Sequence, residues 1–569
     1  MRKITDFFNA GFHKDWFCFA VVALICLLPV AIPMVLYGIP YTPDVDTNLR
    51  FAVAFSDASA NLHFFPDWAN DNLGFGSIGI RFYPPIALYV LSFVEMLTRN
   101  WFDAIWISLT IWMVVGCAGV YIFVREWGTP AQAMMAAIIY AVVPQHLTDI
   151  YQWFLYSEFA AWGVIPFCFL FVTRICRRQQ WIDVFLFAIA FSTLILLHLP
   201  TTMIASLSLP VFVLTVFDRR HLRKTVLQLV VSIGLALAAS AFYLVNVVSE
   251  VQWLTHNDPE YTAGYFAYTQ WLFPNILIPH KLFIQVMTAR LFDITIVLTA
   301  MLLVPAVIYL IKHFRSPNGP AKKVILALAA TGLFSLFMLS KPSAFVWYYL
   351  TILQKIQFPW RWLSIVSLMS VLSFALSLPL LITRYKDQAR IFAYAALSVI
   401  VVMSLMDLTQ IVLPSEPVSR LRISAVVAEF PSKPIWLGWW PVWAKDAAFE
   451  NRAKVTARNR SVDISKWEPE EREFTVQPGE GQDLRIATFY YPYWKAKVND
   501  QVTEVGKDDN GAITLPVTGE SSRVRLYFEE PPVYRVAGWL SLLTWAFLIL
   551  VIGYYLRRSS QFVLIKQMP

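Results

Sequence analysis

The sequence predicts a polytopic α-helical membrane protein with an all-β domain near its C-terminus. Three observations carry this. The chain of 569 residues is 57% hydrophobic and 15% charged, with mean hydropathy +0.55, where a soluble chain carries about 25% charge. Apolar runs of roughly 17–25 residues, the length that crosses a bilayer, recur over residues 1–413 and return at 536–556. Between 414 and 535 those runs vanish and alternating apolar–polar segments take over.

The first run, Phe17–Tyr37, is too long for a signal-peptide core and lacks a small-residue cleavage site, so it reads as a retained helix. Arg2, Lys3 and Lys14 precede it and put the N-terminus in the cytoplasm. The basic turns Arg174–Arg178, Asp218–Lys224, Lys312–Lys323, Arg384–Arg390 and Arg557–Arg558 fall on the same side. Between them the apolar runs pair off: 182–197 with 201–217, 226–248 with 291–311, 324–339 with 363–383. Run 391–413 leads out and run 536–556 leads back. Parity allows only two of 86–97, 101–124 and 131–143 to cross. Run 86–97 is assigned to the outer interface, which gives about twelve spanning helices by hydropathy. Net charge +8 is accounted for by these turns and calls for no nucleic acid. The five cysteines lie in or beside apolar runs, without a disulfide or CxxC pattern.

The expected organisation is a transmembrane domain over 1–413 with a large first outer loop (38–85), an extracytoplasmic β-sandwich-like domain over 414–535, and a final helix with a cytoplasmic tail over 536–569. In the β part, REFTVQP, LRIATFYYPYWKAKV and SRVRLYFEE alternate, with turn signals at Asn499-Asp500 and Asp509-Asn510-Gly511.

Loop 38–85 stands out because Asp44, Asp46, Asp57, Asp67 and Asp71 sit there among aromatic, Gly and Pro residues. Carboxylates beside a bilayer are costly unless solvated or functional. They read either as helix caps in a solvated loop or as a general base at the membrane surface. If the segment is extended, Asp44 and Asp46 share one face.

Several pieces in order carry a resemblance: Asp46-Thr-Asn-Leu, FPDW (65–68), GFG (74–76), FYPP (82–85), AVVPQHLTDIYQWFLYSEFAAWGVIPF (141–167), LLHLPTT (196–202), SAFYLV (240–245), FPWRW (358–362) and FYYPYW (489–494). The chain resembles the GT-C superfamily of polytopic glycosyltransferases. It is most similar to the bacterial membrane family labelled 6-pyruvoyl-tetrahydropterin synthase-related and to YfhO-like proteins, and it shows no pterin-synthase metal motif. It departs from those relatives at Asn48-Leu49-Arg50, where a His often follows the loop Asp.

The resemblance implies a glycosyltransferase of the bacterial cytoplasmic (inner) membrane, with its active side facing outward. It would move a sugar, with inversion, from a polyprenyl-phosphate donor to a hydroxyl of an extracytoplasmic glycan, lipid or protein. Asp46 is then the general base, assisted or replaced by Asp44. Asp149 and Glu158, with Tyr151 between them, form a second acidic site. Asp46, Asp149 and Glu158 are candidates for Mg²⁺ or Mn²⁺, whose ligands are oxygens. Arg361 is the preferred phosphate ligand, because guanidinium matches phosphate bidentately. Arg50, Lys281 and His198 follow, then Arg81, Arg290 and Lys341. Asp258 and Glu260 are offered to an acceptor; His63, His146 and His256 rank lower. The plainer readings are a capped helix start for Glu158, a snorkelling Arg361 and a satisfied helix-end His198. The alternatives to an enzyme are a lipid or glycan transporter or flippase, which would need ionisable groups at the membrane midplane, and a non-catalytic scaffold.

Overall fold

The structure is a computed structural model; it describes residues 14–61, 63, 65–258, 267–274, 283–317, 319–383, 387–412 and 417–566. Among the described residues, nine helices are long and apolar enough to cross a membrane. The bent pair Pro130–Ala141 and Pro144–Trp153 makes ten if it is one span. The other two runs of the sequence-based count form shorter apolar helices, Trp181–Ile195 and Asp15–Ile25. The second of these breaks near Pro29, where proline cannot extend a helix, and resumes as Ala31–Tyr37. Run 86–97 forms the helix Pro85–Thr98, and run 131–143 is the first half of the bent pair.

Helix Tyr156–Arg178 lies deepest in the bundle and packs on Trp101–Arg125. The two backbones approach closely: a Cβ on Gly163 would meet Trp112 O at 2.8 Å. Small residues permit such contacts between apolar helices.

The segment after the first helices is largely helical. Thr42 is extended, Pro43 takes the first helical position, and Asp44 and Asp46 occupy the first turn of Pro43–Ala60. This is the pattern that starts a helix, with acid near the positive end of its dipole. The helix is anchored at its start: Thr42 Oγ1 donates to Trp153 O (3.0 Å) and Asn48 Nδ2 to Phe154 O (3.4 Å). Strand Ile39–Pro40 pairs with Pro417–Val418. Farther on, the Ile86 amide donates to Leu196 O (3.1 Å), joining the FYPP corner to the turn before His198.

The C-terminal part holds two antiparallel sheets. One orders Val462–Trp467, Glu471–Val476, Ser522–Phe528, Trp494–Val498 and Gln501–Thr503; the other orders Val455–Ala457, Asp483–Phe489, Ala512–Pro516 and Gly506–Lys507. Alternate residues are buried, such as Arg472, Phe474 and Val476. This part is hydrogen-bonded to the helical part: Phe489 N donates to Phe75 O (2.8 Å) and Val442 N to Trp253 O (2.9 Å).

Arg81 fastens three parts of the chain. It is fully buried. Its Nη2 and Nε donate to Glu250 (2.9 and 3.2 Å), and Nη1 donates to Glu530 (2.5 Å) and Asp67. Tyr491 OH donates to the same Glu250 (2.6 Å). Four carboxylate bonds satisfy a guanidinium that could not otherwise leave water.

Candidate active site

Helix geometry separates the two acids that the sequence reading put on one face. At about 100° per residue, Asp44 and Asp46 point to opposite sides of Pro43–Ala60. Asp46 pairs with Arg50 Nε one turn on (2.7 Å). Arg50 is buried and also donates to Phe430 O (2.8 Å), Lys433 O (3.1 Å) and Asp71 (3.5 Å). These bonds of Nε and Nη1 fasten the helix to 430–433.

Asp44 faces inward. Protein surrounds it, yet part of it stays accessible, as for a side chain lining a crevice. Burial pushes its carboxyl up to about 7; nearby Arg361 lowers it and Glu158 raises it. Glu158 stands in the first turn of Tyr156–Arg178 and is almost fully buried. Arg361 Nε donates to Glu158 Oε2 (2.9 Å) and its Nη1 to Ile356 O (2.7 Å). Nη2 makes no hydrogen bond to a described residue. The guanidinium lies near the Phe358 and Trp360 rings at 5.2 and 5.8 Å. The short turn Pro359–Trp362, set by Pro359, aims it.

His198 Nε2 is 4.0 Å from Glu158 Oε2, and its Nδ1 shares a hydrogen bond with Thr201 Oγ1 (2.7 Å). Burial first, and Arg361 second, hold His198 well below the usual imidazole range, so it is neutral at pH 7. Asp149 is buried within electrostatic reach of Glu158 and Arg361 and accepts from Gln145 Nε2 (2.7 Å). It stands on a π-helical turn, Thr148–Trp153, a distortion often found at functional sites. Asp149 Oδ2 and Glu158 Oε1 are buried without a hydrogen-bond partner among the described residues. Together these groups offer a carboxyl that titrates near neutrality, a cation with a free arm and two orphan acceptor oxygens.

Other candidates fall elsewhere. Tyr151 does not bridge Asp149 and Glu158; its OH donates to Pro29 O (2.9 Å), toward the first helices. Asp46, Asp149 and Glu158 do not bring ligand atoms together, because Asp46 is on the far helix face. Lys281 and Glu260 lie outside the described residues. His146 is enclosed by Tyr140 and Trp162. Arg81 belongs to the fastening cluster, and Arg290 is exposed.

Sequence reasoning missed Tyr83 and Trp439. Tyr83 OH donates to Asn48 Oδ1 (2.7 Å) and lies near Asp44 and Arg361; its signal was the FYPP motif. Asn48, which accepts from Tyr83, donates in turn to Phe154 O. Trp439 packs on Tyr83 (5.5 Å) and stacks on His256 (5.3 Å). One tryptophan in an aromatic-rich stretch gives no local sign of this.

Fold and site together define a polytopic membrane protein with a buried acid–base cluster beside its β sheets. The family model described as "6-pyruvoyl-tetrahydropterin synthase related domain; membrane protein" matches residues 80–412, more than half of the chain, and the chain belongs to that family. The match includes Tyr83, Asp149, Glu158, His198 and Arg361 and begins after Asp44. No curated protein matches. Among solved structures, the chain is similar to ArnT from Cupriavidus metallidurans bound to undecaprenyl phosphate (13% identity, TM-score 0.40, covering 73% of each chain). It is similar to the arabinofuranosyltransferase AftD from Mycobacteria (18% identity, TM-score 0.42, 70% of this chain and 27% of that one). It is also similar to the apo oligosaccharyltransferase of Archaeoglobus fulgidus (14% identity, TM-score 0.40, 77% and 57%).

Proposed function

We propose that the protein is a membrane glycosyltransferase that takes a sugar from a polyprenyl-phosphate donor and that Asp44, not Asp46, is its base. One observation carries the reading: a partly accessible carboxyl, pushed up to about 7, beside the buried Glu158–Arg361 pair. A base works best when its pKa lies near the working pH. The acceptor hydroxyl gives its proton to Asp44 as its oxygen bonds to the anomeric carbon. The bond from that carbon to the phosphate oxygen breaks, and polyprenyl phosphate leaves with the electron pair. The configuration inverts. The free Nη2 of Arg361 takes the charge that develops on the leaving phosphate. The orphan oxygens of Glu158 and Asp149 accept hydrogen bonds from sugar hydroxyls. On this reading the side bearing the β sheets faces out of the cytoplasm.

The test is in cells, by mass spectrometry of surface glycans and polyprenyl-phosphate sugars. Asp44→Asn is expected to abolish one surface sugar while its lipid donor accumulates, at normal protein level. Asp46→Asn, which loses only an ion pair with Arg50, retains the sugar. Wild-type behaviour of Asp44→Asn overturns the assignment of the base. An unchanged glycan and donor profile on deleting the protein overturns the enzyme reading.

A further inference from the structure

A second polar cluster lies apart from the acid–base site, where the first loop meets the β sheets. His63, Asp67 and Glu470 bring ligand atoms to within 4.8 Å of one another. Donors around a tetrahedral metal ion stand roughly 3.3–3.6 Å apart, from bond lengths near 2.0–2.2 Å. His63 Nδ1 to Glu470 Oε1 is 3.6 Å. Glu470 Oε1 also accepts from the Asp67 amide (2.8 Å), which holds the two carboxylate bearers in register.

Carboxylates crowd this corner. Asp67, Glu250 and Glu530 share the single guanidinium of Arg81, and Glu470 adds a fourth carboxylate. His63 and Asp67 also line a cavity of about 450 Å³, with Glu530, Asn246 and aromatic walls including Phe65 and Trp545. Asn246 is 1% exposed and its Oδ1 has no partner among the described residues. A bound cation would place positive charge among these carboxylates.

We infer that His63, Asp67 and Glu470 hold a divalent transition-metal ion whose open coordination positions face this cavity. One imidazole and two carboxylates suit Zn²⁺ or Mn²⁺, with water completing the shell. The ion clips the first loop, through His63 and Asp67, to the start of strand Glu471–Val476. It acts there as a fastener, and its uptake requires no sugar transfer.

The experiment uses the full-length protein in detergent, stripped with chelator, desalted and titrated with Zn²⁺ or Mn²⁺ alone, with bound metal counted by mass spectrometry. One equivalent is expected, with a raised melting temperature, because the ion binds the folded form. His63→Ala and Glu470→Gln each weaken uptake at least about tenfold, the smallest loss that removing even an outer partner of a ligand causes. Asp44→Asn leaves uptake unchanged. No uptake of either metal by the wild type overturns the proposal, as does undiminished uptake by a folded His63→Ala or Glu470→Gln. Metal lost in Asp44→Asn but kept in His63→Ala overturns it too, by locating the ion among the inner carboxylates.

Discussion

Arg81→Met isolates the cost of removing one cation from a buried cluster of carboxylates. Removing one partner of a buried ion pair costs about 3–5 kcal/mol, because the other charge is stranded. The stranded groups here differ in their access to water. The Glu250 side chain is fully enclosed, whereas those of Asp67 and Glu530 keep 15% and 22% exposure. Most of the cost therefore falls on Glu250, which keeps the bond from Tyr491 but no cation in the cluster. The single variant is expected to lose about 3–5 kcal/mol. Arg81→Met with Glu250→Gln recovers about 2 kcal/mol, a coupling within the range for residues in one ion-pair network. Denaturation in detergent, followed by tryptophan fluorescence, reads both variants. Limited proteolysis tests for early release of the β sheets, because Arg81 bonds to Glu250 on one side and Glu530 on the other. A single variant within 1 kcal/mol of wild type, or a double no better than the single, refutes the reasoning.

Two further outcomes follow from the same geometry. Transfer activity should rise with pH through an apparent pKa of about 7, falling to about a tenth of its plateau one unit below, since only ionised Asp44 accepts a proton. The stability linkage runs the other way: a carboxyl raised on folding contributes stability at low pH that is lost as pH rises through about 7. The loss begins near the ordinary carboxyl value, so Asp44→Asn should melt above wild type at pH 8 and by a smaller margin at pH 5. A rate–pH profile and melting curves at both values check this. Gly76→Ala meets a φ of +83° and a Cβ position 1.8 Å from the buried Trp68 indole nitrogen. It should lose at least about 2 kcal/mol, left-handed strain plus overlap, read by the same fluorescence melt.

The membrane architecture was legible because hydropathy and basic turns act locally, and the β strands because period-two burial does. The helix Pro43–Ala60 was also legible: Thr42 just before it, Pro43 at its start and acid in the first turn are ordinary helix-start signals. Reading the stretch as a loop let Asp44 and Asp46 share a face, and that misread which acid looks inward. Glu158 and Arg361 were each named from the sequence. Their meeting across 203 positions was not readable, since nothing local records which elements touch. The same holds for the bond between Asp67 and Glu470, 403 positions apart.

These separations have a consequence for how the protein is made. Arg50 waits for carbonyls 380 and 383 residues downstream, and Arg81 for a carboxylate 449 residues downstream. At about 5–20 residues per second, ribosomes take roughly 20–90 s to deliver those partners. For that interval the nascent chain holds charged groups meant for burial with only part of their final company. A ribosome that stops before residue 430 leaves Arg50 without both carbonyls and Arg81 without Glu530.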